Sequence, residues 1–243
     1  MSKRYLAFDI ETAKVLPELV TDLLAHRPLG ICCAAAVAID RPSANIWHGG
    51  MASGTPAPRM TPVEVQGLVR DLGNLVSEGY TLVTWNGLGF DLDVLAEESG
   101  LPRECAELAL RHVDMMFHVL CTLGHFVGLD SAAKAMGLQG KVVGTRGHQA
   151  PILWAAGKYS EVIEYNVRDA RVTLDLAVTC EGRGTFQWVT RKGQLGAMPL
   201  PRGWVDVERA RSLPLPDTSW MADPPRRENL FRWFPRVSNR EHG

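Results

Sequence analysis

The stretch YLAFDIET, residues 5–12, reads as a buried strand that carries charge. Tyr5, Leu6, Ala7, Phe8 and Ile10 are apolar, but Asp9 and Glu11 interrupt them. Side chains two apart on a strand point the same way, so the two carboxylates share one face, a few ångströms apart. Like charges that close repel, and taking them out of water is costly. A core strand that keeps both needs a reason other than packing.

The rest of the chain fits an α/β body around that strand. It has 243 residues, 46% of them hydrophobic, enough for one compact domain with an elaboration or for two small ones. Residues 31–39 and 44–48 read as two further strands joined by the turn Asp40-Arg41-Pro42-Ser43. Residues 61–77 carry Val63, Val65, Leu68, Val69, Leu72 and Leu75 at helical spacing behind a Thr-Pro start, the pattern of an N-cap followed by proline. Residues 81–85 read as a fourth strand. A turn, Asn86-Gly87-Leu88-Gly89, leads into a helix over 90–99. Residues 103–138 read as largely helical with a short strand near Val113, followed by a loop to Gly147, a short helix near 150–156 and a longer one from about 160 to 179. Strands first in a meander and then alternating with helices predict a mixed sheet flanked by helices.

Composition bounds the setting. The first residues lack the apolar core of a signal peptide, and the longest apolar run, Ile31 to Ile39, is too short to span a bilayer, so no membrane partner and a soluble, cytoplasmic protein are expected. Five scattered cysteines, with no Cys-x-x-Cys pair, read as small buried hydrophobes in a reducing compartment. Residues 1–181 carry a net charge of −6 and residues 182–243 a net of +5. The basic segment holds 7 of the 15 prolines and 4 of the 7 tryptophans: Trp188, Trp204, Trp220 and Trp233. Disordered segments are poor in aromatics, so an ordered strap packed on the body is expected. Its charge suits either an anionic partner or docking on the acidic body. PRRENLFRWFPR, 225–236, offers the same choice: nucleic-acid binding by charge and stacking, or a packing segment with arginine on its wet side, the reading we favour.

Two further segments supply carboxylates. In TWNGLGFDLDVL, 84–95, a strand ends in a glycine-rich turn and Asp91 opens a helix, where capping alone could explain it; Asp93 is a less favoured alternative. In EYNVRDARVTLDL, 164–176, Tyr165 and Asp169 stand four apart on one helix face, where a Tyr–Asp hydrogen bond alone could explain them. Taken together, three distant segments each offer an acid where a half-buried one needs explaining. Hard divalent cations such as Mg²⁺ or Mn²⁺ take oxygen ligands. A pair of them, roughly 3.5–4 Å apart, clamps the attacking and leaving oxygens of a phosphoryl displacement. On this reading Asp9 bridges both ions, and Glu11, Asp91 and Asp169 complete the cage.

These blocks resemble the three motifs of the DEDD exonuclease superfamily. FDIET resembles the first, Asn86 followed by Phe90-Asp91 the second, and Tyr165 with Asp169 the tyrosine form of the third. Over about residues 4–180 the text looks most like stand-alone relatives of the exonuclease domain of family-B DNA polymerases. The resemblance implies a ribonuclease H-like domain over 1–181; residues 182–243 fall outside it and, from their tryptophans, are expected to form a basic C-terminal extension packed on that domain. It implies a five-stranded sheet of three antiparallel strands followed by two parallel ones. It implies two-metal hydrolysis of single-stranded nucleic acid from the 3′ end, with DNA preferred, to nucleoside monophosphates. Asp9, Glu11, Asp91 and Asp169 would hold the ions, and Tyr165 would orient the attacking water. Asn86 and Phe90 would contact the terminal nucleotides, and Thr12 would face the 3′ end. Lys141, Arg146 and His148 are candidate phosphate contacts, a solvated loop being the simpler reading; Asp114 reads as a capping or pairing residue. Without a polymerase beside it, the domain is expected to act alone, as an oligomer or with a partner protein.

An RNA or short-oligonucleotide exonuclease of the same chemistry is the alternative. A binding scaffold without turnover would have lost one of the acids or Tyr165. An endonuclease or resolvase on the same fold would usually lack the Tyr165–Asp169 helix.

Overall fold

The computed structural model describes residues 3–20, 22–138 and 147–235. Its centre is strand β1 (Arg4–Thr12), flanked on one side by β2 (Ile31–Ala38) and β3 (Asn45–His48) and on the other by β4 (Tyr80–Thr84) and β5 (Val113–Asp114). The order is β3-β2-β1-β4-β5. β1, β2 and β3 are antiparallel neighbours, whereas β4 and β5 run parallel to β1. This is the mixed five-stranded sheet the resemblance implies.

Alternation along β1 divides the core in two. Leu6, Phe8 and Ile10 join the cluster under α1 (Pro62–Ser77), α2 (Asp91–Ser99) and α3 (Pro102–Arg111). Tyr5 and Ala7 face the other way, into a cluster with α7 (Tyr159–Arg183). Asp9 and Glu11 follow in the second register, on the α7 side. β2 is buried throughout, which explains its continuous apolar text ICCAAAVA. α1 begins as its sequence predicts: Thr61 accepts from the Glu64 N–H, Glu64 reaches back to the Thr61 N–H, and Pro62 takes the first helical position.

The stretch after β5 divides into α4 (Met115–Leu123) and α5 (Leu129–Ala135), and α6 (Ala150–Ala155) precedes α7. α7 continues to Arg183 before a left-handed Gly184 ends it, slightly past the expected boundary at 181. The residues beyond form a hairpin, β6 (Thr185–Val189) and β7 (Leu195–Pro199), then α8 (Val207–Ala210) and a 3-10 turn at Arg227–Phe231. Phe186, Met198, Leu200 and Trp204 enter the α7 cluster, and Val207 and Ala210 enter the other. The Trp204 indole Nε1 donates to the Ala177 carbonyl at 3.2 Å, and its backbone N–H donates to Glu181 at 3.0 Å. All five cysteines are free and buried. Among the described residues no helix is long and apolar enough to cross a membrane.

Candidate active site

β4 pairs with β1 only as far as Ala7, so the last residues of β1 run on past its end. The β1–β2 register shifts between Glu11 and Thr12, an irregularity that re-aims the strand end. Into the gap beyond β4 comes the first turn of α2. Asp91 stands in that first turn behind the N-cap Phe90, and its carboxylate accepts from its own N–H. Its Oδ1 accepts also from the Ile10 N–H at 3.1 Å, a β1 donor beyond the reach of β4. Asp91 thus ties the start of its helix to β1. From the other face, α7 lies over β1 and β2 and carries Tyr165 and Asp169 on its inner side.

The outcome is a cavity of about 170 Å³ lined by Asp9, Glu11, Thr12, Asn86, Phe90, Asp91, Tyr165 and Asp169, with Ile10, Leu23 and Trp85 completing the wall. All eight residues singled out in the sequence line it. Glu11, Asp91 and Asp169 are buried, and Asp9 is half-buried. Burial pushes the Asp91 carboxyl up to about 7; the Ile10 N–H opposes this and the nearby Asp114 charge adds to it. Asp9 Oδ2 accepts from Asn166 Nδ2 at 2.7 Å.

Four carboxylates are the donor chemistry a hard divalent cation takes, so the residues fit such an ion. They are not preassembled around one: among the described residues no group of three or more His, Cys, Asp or Glu side chains is placed to hold an ion, and two of the acids lie on N–H donors.

Asp93 belongs elsewhere. It pairs with Arg27, which also reaches Glu97 at 3.1 Å, so the alternative-ligand reading fails on a long-range ion pair. His148 stands 4.0 Å from Glu18 and does not line the cavity. Lys141 and Arg146 lie outside the described residues.

Asp114 does more than cap. It accepts from the Phe117 N–H at 2.9 Å, closing the start of α4, and also from the Asn86 N–H at 3.1 Å and the Leu88 N–H at 2.8 Å. It thus grips the turn that delivers Phe90 and Asp91. Asn86 takes a left-handed φ of +73° there. Gly87 is required: a Cβ would lie 2.4 Å from Thr84 Oγ1, which accepts its N–H at 3.0 Å. The His112 ring stands 3.1 Å from the same hydroxyl, and burial holds its pKa below the usual range. Asn166, next to Tyr165, is the neighbour the sequence reading passed over. A polar residue on the buried face of α7 was the available signal, but nothing local says that it reaches Asp9, 157 residues away.

The model of the RNase_H superfamily matches residues 58–180, a span that contains Asp91, Tyr165 and Asp169 and begins after β1. No curated protein matches the chain. Among solved structures it is similar to the family B DNA polymerase from the hyperthermophilic archaeon Pyrobaculum calidifontis, with a TM-score of 0.51 and 21% identity over 74% of this chain. The match takes in 25% of the polymerase, so this chain corresponds to a quarter of that protein, and the likeness is one of fold. With half its length matched by the family model and a sheet of the corresponding order, the chain belongs to the RNase H superfamily.

Proposed function

We propose that this protein is a metal-dependent 3′–5′ exonuclease of the tyrosine type, acting on single-stranded nucleic acid with DNA preferred and releasing nucleoside monophosphates. One observation carries the reading: Asp9 and Glu11 from β1, Asp91 from α2, and Tyr165 and Asp169 from α7 all line one cavity. Packing gives no reason to gather four carboxylates and a phenol from three distant segments, whereas phosphodiester hydrolysis does.

In this reading Asp9, Glu11, Asp91 and Asp169 hold two divalent ions, Mg²⁺ or Mn²⁺, which when bound polarise the phosphate and lower the pKa of the attacking water. The Tyr165 hydroxyl orients that water by hydrogen bonding. Phe90 offers a ring to the terminal base and Asn86 a carboxamide to its polar edge. Thr12, at the strand end, faces the 3′ terminus. Asp114 acts through the turn as a positioning residue.

The test is a pair of 5′-labelled single-stranded oligonucleotides, one DNA and one RNA, incubated with Mn²⁺ or with EDTA. The expected result is a ladder that shortens from the 3′ end only with metal, faster for DNA. Faster shortening of RNA would reassign the substrate. Intact strands in both metal arms would overturn the reading.

A further inference from the structure

The C-terminal extension carries a set of rings that the candidate active site does not use. Trp85, on the cavity wall, is 6.1 Å from Phe186 between ring centres. Phe186 stacks on Trp188 at 5.6 Å. Trp188 meets His125 edge-on at 6.0 Å, and His125 meets Trp220 at 6.2 Å. The row therefore begins at the cavity and ends at the surface. Phe186 is core, Trp188 and His125 are half-buried, and Trp220 is 68% exposed. Phe126, next to His125 in the chain, is 47% exposed.

This outer end is built rather than loose. Gly124, the left-handed cap of α4, has Thr218 Cγ2 2.3 Å and Pro216 Cγ 3.1 Å from where a Cβ would stand, so the strap rests directly on it. The Met221 N–H then donates to the Thr218 carbonyl at 2.9 Å, and the Ser219 N–H to Asp217 Oδ1 at 3.0 Å, forming the turn that presents Trp220. Trp188 lies flat against its cross-strand partner Gly196, where a Cβ would meet the ring at 2.4 Å. Folding does not require an indole held out in water by such a turn, and exposed aromatic patches mark surfaces that bind.

We infer that Trp220, braced by His125 and Trp188, forms a stacking platform for the bases of a single-stranded nucleic acid whose 3′ end lies in the cavity. Three features select this occupant. Ring contacts link the patch to Trp85 on the cavity wall through the buried Phe186, so patch and cavity lie close together. Aromatic faces stack any base, as a sequence-tolerant nuclease needs. The segment from 182 on is net +5, with Arg191 and Lys192 exposed on the turn of the β6–β7 hairpin. The inference rests on the exonuclease reading for the position of the 3′ end.

The experiment measures binding in EDTA, so that no strand is cut, by the intrinsic fluorescence of the full chain titrated with oligothymidylates of about 4 and about 20 nucleotides, lengths that bracket common single-strand site sizes. Trp220→Ala is expected to weaken the 20-mer about tenfold or more while changing the 4-mer much less, with Trp220→Phe restoring most of the loss. Leu215→Ala, an exposed change on the same strap, should leave both affinities as they were. Equal 20-mer affinity in Trp220→Ala and wild type would overturn the platform. So would loss of self-association without loss of oligonucleotide binding, which would make the patch a contact between copies. Failure of the exonuclease reading registers separately, as absence of 3′ shortening by wild-type protein in Mn²⁺, and does not alter the binding comparison.

Discussion

β1 and the strap over α4 depart from ordinary solvent preference in opposite directions. β1 buries Glu11 and half-buries Asp9 within a strand whose residues 5–8 and 10 are core, whereas the strap holds Trp220 in water. A third residue calibrates both. Trp204, in the same basic extension, obeys the rule: it is buried between Phe186 and His118, with its indole N–H satisfied by Ala177. The extension thus holds Trp204 buried against the body and Trp220 at its surface. Departures from burial preference point to function when the surrounding structure is well made, because the fold has no use for them.

The sharpest way to break this comparison is Asp9→Ala. If β1 carries charge for chemistry, hydrolysis should fall by about a thousandfold or more, several kcal/mol of transition-state stabilisation. The urea midpoint should stay level or rise as carboxylate repulsion is relieved. Turnover like wild type would remove the site.

Trp204→Ala probes the opposite case. Emptying that volume should cost about 3–5 kcal/mol in a single cooperative urea transition. A cost under about 1 kcal/mol would place Trp204 in the same class as Trp220 and make the extension an appendage.

Tyr165→Phe should slow single-turnover cleavage by about a hundredfold with Mn²⁺ affinity unchanged. Equal rates would leave the tyrosine a packing residue of α7.

The smallest effect concerns His118, which meets Trp204 edge-on at 5.5 Å. Burial lowers its pKa to about 4, and Lys3 acts in the same direction. An unfolded histidine titrates near 6.5, so between about 6.5 and 4 the unfolded chain binds the proton and the folded one does not. His118 therefore costs stability as pH falls through that window, at up to about 1.4 kcal/mol per pH unit. Asp91, raised by burial, acts with the opposite sign, so the measurement is a difference. His118→Gln should gain on wild type as urea titrations move from pH 7.5 to 5, with carboxylate terms common to both. A constant gap would mean that His118 takes up its proton as readily in the folded chain as in the unfolded one.

Much of the fold was legible in the text. Period-two and period-3.6 patterns, the Thr61-Pro62 start of α1 and the glycine-rich turn after β4 act over a few residues. Residues 103–138, read only as largely helical, divide into α3, α4 and α5, while β1 to β4, α1, α2 and α6 formed within a residue or two of their reading. α7 was the exception, because Gly184 rather than a change in periodicity ends it. The β6–β7 hairpin was not read, and its strands owe their place to Phe186 and Met198 packing on α7.

By itself the sequence determined which residues could be acidic, aromatic or left-handed, and on which face of its own strand or helix each one stands. Only the tertiary structure decided which of them meet. It turned Asp93 onto Arg27, 66 residues away, gave Asp114 to a turn 28 residues upstream, brought Asn166 to Asp9 across 157, and set Trp220 against His125. Periodicity and capping are local physics. A carboxylate's partner is set by how the helices stack on the sheet, and that is a property of the packed whole.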